Sequence, residues 1–210
     1  MDDFFATVER RWPARRPDYH WHVLFDPAAT RAAWFEPYRD LTHADADLAP
    51  VAPEWYHLTL LHSAPVEELS DQAISDITDL VRQRCAAIRP FEITLDRPNI
   101  GTVAIECPGR QGAATRQLWE SVAAATTQVT GDRFATLPEP GRYYPHTSLA
   151  YATGNLDHRP LKVWLSDSDL EPVTFPVPRI HLVAQQHDRR HITWERVLDV
   201  PLGAGIGADS

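Results

Sequence analysis

Two short stretches of the chain, "YHLTLLH" beginning at Tyr56 and "YPHTSLAY" beginning at Tyr144, use the same order of residue types. Each sets a histidine, one further residue, a hydroxyl residue and a leucine in line: His57-Leu58-Thr59-Leu60 and His146-Thr147-Ser148-Leu149. Both stretches are rich in strand formers, and along a strand residues two apart point the same way. His57 and Thr59 then share one face, with Leu58 and Leu60 on the other. His146 and Ser148 share a face in the same manner, against Thr147 and Leu149. Each strand can bury its leucines and present an imidazole beside an alcohol.

If the two halves are related by a rough two-fold axis, two imidazoles and two hydroxyls converge on one cleft. Such a set suits a phosphodiester. Hydroxyls donate hydrogen bonds to non-bridging phosphate oxygens. A neutral imidazole takes a proton from the attacking oxygen, and a protonated one gives a proton to the leaving oxygen. Each transfer is worth about 10²–10⁴ in rate, so the pair needs no metal. No run of carboxylates adjoins either histidine, as a divalent-metal mechanism would require. One such motif alone carries almost no information; two, one per half and both followed by leucine, carry a great deal. The spacing does not say which histidine is acid and which is base.

The elements that must position these residues read as follows. "YHWHVLF" at 19–25 is a strand. Asp26 and Pro27 then open a helix to about residue 42 through Trp34, Tyr38 and Leu41. "WYHLTLLH" is a second strand. Pro65, with Glu67 and Glu68 in its first turn, opens a longer helix with an apolar stripe of Leu69, Ala73, Ile74, Ile77, Leu80, Val81 and Ile88. "FEITLDRPNIGTVAIEC" alternates on both sides of a Pro-Asn-Ile-Gly turn and predicts a hairpin. A helix over 113–130 stops at Gly131. The second motif follows a Pro/Gly-rich stretch, then come a short helix over 160–166 and two last strands, "VTFPVPRIHLVAQQ" and "ITWERVLDVPL", joined through 187–190. The order lacks the regular alternation of a doubly wound parallel sheet. It predicts an α+β fold of two pseudo-symmetric antiparallel lobes with flanking helices around a central cleft. Residues 1–18 are expected to be a helical extension, 19–203 one bilobal domain and 204–210 a flexible tail.

The bulk numbers fit that reading. The chain has 210 residues, 43% hydrophobic and 23% charged, ordinary for a globular protein. No apolar run is long enough to cross a bilayer. The acidic start "MDDFFATVERRW" lacks the form of a secretion signal, and Cys85 and Cys107 are too few for a disulfide framework, so a cytoplasmic setting is expected. The formal net charge of −9 opposes tight non-specific polynucleotide binding, although Arg10, Arg11, Arg15 and Arg16 form a local basic run. A small nucleotide or short RNA substrate, no membrane partner and a monomer are the expectations.

Other residues carry weaker signals. Tyr144 shares parity with His146 and can stack on a base. Arg142, just ahead of the second motif, is a candidate substrate contact. His20 and His22 have a spacing seen in metal sites, but no third ligand is near in sequence, and they are expected to pack beside the cleft. His62 is an odd number of positions from His57 and should face away on an unbroken strand. Tyr56, Trp119, Trp164 and Trp194 read as core.

The motif residues, with their surroundings "PEWYHLTL", "RYYPHTSLAY" and "ITWERVLDVPLG", resemble the two-histidine phosphoesterases, and among them the 2′–5′ RNA ligase-like, or RNA 2′,3′-cyclic phosphodiesterase, branch. The resemblance spans residues 19–203. It implies a two-lobed α+β fold around a cleft and neither metal nor cofactor, with His57 and His146 as catalytic acid–base pair and Thr59 and Ser148 holding the phosphate. It also implies opening of 2′,3′-cyclic phosphates to 2′-phosphates, or action on 2′–5′ linkages. Serine in the second motif keeps the hydroxyl. The acidic chain favours a short or mononucleotide substrate over long RNA. The alternatives are the same chemistry on another small cyclic nucleotide, and a non-catalytic nucleotide- or RNA-binding module that keeps the fold.

Overall fold

Proline and short polar residues punctuate the chain and set where each element starts. The structure is a computed structural model, described here over residues 1–134 and 143–203. Asp3 caps α1 (Phe4–Val8) by accepting from the Ala6 N–H. β1 (Asp18–Leu24) follows. Asp26 caps α2 (Pro27–Thr30), which passes through a π-helical turn at Arg31–Phe35 to α3 (Arg39–Thr42). β2 (Leu48–Pro50) and β3 (His57–Pro65) lead to α4 (Asp71–Cys85). β4 (Phe91–Leu95), β5 (Asn99–Ile100) and β6 (Ala104–Pro108) precede α5 (Ala113–Thr130). β7 (His146–Ala152), α6 (Arg159–Ser166), β8 (Val173–Val177), β9 (Arg179–His187) and β10 (Ile192–Pro201) complete the order.

Two four-stranded sheets carry the motifs, in the orders β10-β9-β1-β3 and β2-β7-β6-β5, and β4 pairs with β8 in a small third sheet. Every ladder between described strands is antiparallel. The fold is therefore the expected mixture of antiparallel sheets and flanking helices. The motif leucines Leu58, Leu60 and Leu149 are buried in the core, which also takes Tyr56 against Trp34. Burying each leucine contributes about 1.5–3 kcal/mol and holds the polar faces of β3 and β7 outward from the core.

Local detail departs from expectation in four places. The helix after Asp26 is broken into short pieces by the π turn and by Tyr38 outside helical geometry. α4 starts at Asp71, capped by the Ser70 hydroxyl on the Ala73 N–H, because Val66–Glu68 forms only a 3₁₀ turn. The hairpin expected from Phe91 to Cys107 does not form. β4 pairs with β8, while β6 pairs with β7 and the short β5. Alternation fixes which face a residue takes but not which strand it joins. The segment "VTFPVPRIHLVAQQ" is likewise two strands in different sheets, split at Pro178, which cannot donate to a ladder.

Candidate active site

His57 opens β3 and His146 opens β7, and their local geometry matches. The Nδ1 of His57 lies 2.9 Å from the carbonyl oxygen of Trp55. The Nδ1 of His146 lies 2.9 Å from that of Tyr144. In each case the acceptor is two residues upstream. A carbonyl can only accept, so Nδ1 carries the proton and the neutral ring keeps its lone pair on Nε2. Both rings, with Thr59 and Ser148, line one cavity of about 210 Å³.

The strands also share an irregularity. On β3, His22 faces Thr59 and Trp21 faces Leu61, which leaves Leu60 as an extra, bulged residue. On β7, Glu106 faces Ser148 and Ile105 faces Ala150, which leaves Leu149 bulged. A bulge puts two residues opposite one and reverses the parity beyond it. The side chain five positions after each motif histidine therefore returns to the cavity: His62 in the first half, Tyr151 in the second. The expectation that His62 faces away fails for this reason. The signal was the spacing itself, an aromatic or imidazole five after each histidine, but periodicity alone does not announce a bulge.

The walls differ between the halves. His57 is 9% exposed and stacks on His22 at 4.2 Å between centroids. Trp194 meets His57 edge-on at 4.8 Å, so this tryptophan belongs to the site and is only half-buried, against its expected core place. Burial pushes the His57 imidazole down to about 4, with the His146 charge adding to the effect against the Trp55 hydrogen bond. His22 and His20 are buried, and burial, then neighbouring imidazoles (with Arg11 as well for His20), holds both well below the ordinary value. His20 stacks on His62 at 4.1 Å. His62 Nε2 is 2.8 Å from the buried Asp18 carboxylate, which Arg16 also grips at 2.8 Å. Those two hydrogen bonds overcome burial and lower the Asp18 carboxyl.

The His146 side chain is 35% exposed, and Glu106 Oε1 stands 3.8 Å from its Nε2, a counter-ion for the ring whenever it holds a second proton. Glu106 was not foreseen; its cue is its place on the strand that pairs with β7. Tyr151 is buried, and its phenol is pushed up to about 12 by burial, with the neighbouring Ser148 hydroxyl opposing the shift, so it keeps its proton. Tyr144, 44% exposed, stacks on His146 at 5.1 Å. Arg142 lies outside the described residues. Tyr143 ties the halves together: its hydroxyl donates to the Thr59 carbonyl at 3.0 Å, while its ring stacks on Trp119.

Among the described residues, no group of three or more His, Cys, Asp or Glu side chains is arranged to hold a metal ion. Among them, too, no helix is long and apolar enough to cross a membrane.

The sequence matches the model of the 2′-5′ RNA ligase superfamily over residues 26–189. The chain belongs to that superfamily. Its fold accords with solved structures despite low identity. TT0787 of Thermus thermophilus matches with a TM-score of 0.65 at 20% identity, covering 89% of this chain and 98% of that one. Escherichia coli LigT complexed with 3′-AMP matches with a TM-score of 0.64 at 16% identity, covering 90% and 99%. The PDE domain of MHV ns2 gives 0.52 at 11%, covering 87% and 100%. No curated protein matches the chain. Residues 1–25, including β1 with His20 and His22, lie outside the span of the superfamily model.

Proposed function

We propose that the protein is a metal-independent phosphodiesterase that opens the 2′,3′-cyclic phosphate of a nucleotide or short RNA end. The observation that carries this reading is the paired clamp: both motif histidines have Nδ1 on a carbonyl and, among the described residues, no hydrogen bond to Nε2, in one cavity with Thr59 and Ser148. Membership in the superfamily supports it, as do the solved complexes of LigT with 3′-AMP and with ATP.

The surroundings divide the labour. His57, held neutral by burial, takes a proton from water on Nε2. The water oxygen attacks phosphorus in line with the 3′ oxygen. His146, with Glu106 as counter-ion, delivers a proton to that leaving oxygen. The bond from phosphorus to the 3′ oxygen breaks, and a 2′-phosphate remains. Thr59 and Ser148, which line the cavity beside the two rings, donate to the non-bridging oxygens as charge builds there. The same steps serve a 2′–5′ linkage.

The test is hydrolysis of the four 2′,3′-cyclic nucleotides in excess EDTA, with the product isomer identified by NMR. Sustained turnover to 2′-phosphates supports the proposal. Loss of turnover under chelation contradicts the metal-free step, and no turnover of cyclic or 2′–5′ substrates favours a binding module.

A further inference from the structure

The segment ahead of β1 is built into the cleft. Phe4, Val8, Arg11 and Trp12 stand on the wall of the cavity that holds both motifs. The segment is tied to both four-stranded sheets. Phe4 packs on Tyr151 at 4.6 Å, the Asp2 N–H donates to the Thr102 carbonyl, and the Met1 carbonyl accepts from Leu156. On the other side the buried Trp12 packs on His187 at 4.6 Å and on His20 at 5.4 Å. Its carbonyl meets His187 Nε2 at 2.8 Å, and the Arg15 N–H donates to the His187 carbonyl at 2.8 Å. The Arg11 carbonyl accepts from the Arg16 guanidinium at 2.7 Å. Arg11 thus presents its side chain from a fixed backbone.

Its charge is the distinctive part. Arg16 is paired with Asp18, Arg133 with Glu68 and Arg189 with Glu9. Among the described residues, no carboxylate lies within ion-pair distance of Arg11 and no acceptor binds its guanidinium. Arg11 lines both the motif cavity and an adjoining trough of about 630 Å³, at the junction that Thr59, His62 and His146 share. The trough offers Phe134 and Tyr144 as stacking surfaces. In a chain of net charge −9, a guanidinium at this mouth with no carboxylate partner among the described residues marks a local place for an anion.

We infer, building on the proposed function, that Arg11 binds a second phosphate of the substrate, one linkage to the 5′ side of the reacting one. The reacting phosphate already has two hydroxyls and two imidazoles. The larger trough takes the 5′-ward part of the substrate, and Arg11 meets its phosphate at the boundary. The substrate class is then a nucleotide phosphorylated or extended at its 5′ oxygen, not a cyclic nucleoside phosphate alone.

Calorimetric titration with adenosine 3′-monophosphate and adenosine 3′,5′-bisphosphate tests this, on wild type and on Arg11→Gln, Arg11→Lys and Arg10→Gln. The wild type should bind the bisphosphate about tenfold or more tighter, as one charge-assisted contact supplies. Arg11→Gln should bring that ratio to within about twofold of unity, and Arg11→Lys should keep part of it, as expected for a phosphate contact. Arg10→Gln, altering an exposed neighbour outside the cavities, should leave the ratio unchanged. Equal weakening of both ligands by Arg11→Gln would place Arg11 on the phosphate they share and overturn the inference. So would a ratio that survives the substitution, or a wild type with no preference. Neither ligand is a cyclic diester, so failure of the cyclic-phosphate assay would remove the proposed activity without deciding this comparison.

Discussion

The two motif strands start from the same four-residue phrase and end in different electrostatic settings. β3 is the edge of its sheet and carries His57 into a wall of His22, Trp194 and Trp55. β7 lies inside its sheet, between β2 and β6, and carries His146 to a half-open site beside Glu106. Clamp and bulge recur in both, so the backbone repeats while the neighbours do not. A repeated backbone can aim two imidazoles at one phosphorus; only unlike surroundings can make one a proton acceptor and the other a proton donor.

The largest expected effect comes from removing either ring. His57→Ala and His146→Ala should each lower kcat on a 2′,3′-cyclic nucleotide by about 10²–10⁴. A variant near wild type in steady-state kinetics would break the pairing of the halves. The division of roles predicts an acid limb in kcat/KM: activity should fall as pH drops through about 4, where His57 takes up a proton. An acid limb that His57 substitution leaves in place would assign that proton elsewhere.

Next in size are the hydroxyls. Thr59→Ala and Ser148→Ala should each cost about 1–3 kcal/mol of transition-state binding, read as a fall in kcat/KM. If only one of the two matters, the phosphate leans to one half.

The buried imidazoles predict a difference in stability. His20, His22 and His57 stay neutral when folded, below the ordinary histidine value of 6.5, whereas the unfolded chain takes up those protons. Folding stability should therefore fall as pH drops below 6.5, by up to about 1.4 kcal/mol per pH unit for each such ring. For His57 the loss should level off below about 4. His22→Phe should flatten this slope by up to one proton in urea denaturation across pH 7 to 5, whereas an unchanged slope would mean His22 is charged when folded. Smallest is the tie between the halves. Tyr143→Phe removes the hydrogen bond to the Thr59 carbonyl and should cost about 1 kcal/mol of stability, measured by the same unfolding curves.

Much of this was legible in the sequence. The motif spacing places His57, Thr59, His146 and Ser148 on the polar faces of two strands, and the leucines tell which faces are buried. The helices over Ala113–Thr130 and Arg159–Ser166 stand out because their apolar stripes are regular. Strand partners were not legible: the alternation of Phe91, Ile93 and Leu95 fits β8 as well as it fits β6. Nor were the bulges at Leu60 and Leu149, which come from register and bring His62 and Tyr151 into the cavity. Trp194 reads as apolar filling, yet an indole edge beside an imidazole is a wall that local pattern cannot tell from core.

The most direct measurement is a double-mutant cycle on His57 and His146, with 2′,3′-cyclic nucleotide turnover followed in excess chelator. If both rings serve one in-line displacement, each alanine substitution removes nearly all of the rate and the double variant is scarcely worse than the poorer single. Two modest losses that simply multiply in the double variant would mean that the rings act independently, which contradicts a single displacement served by both.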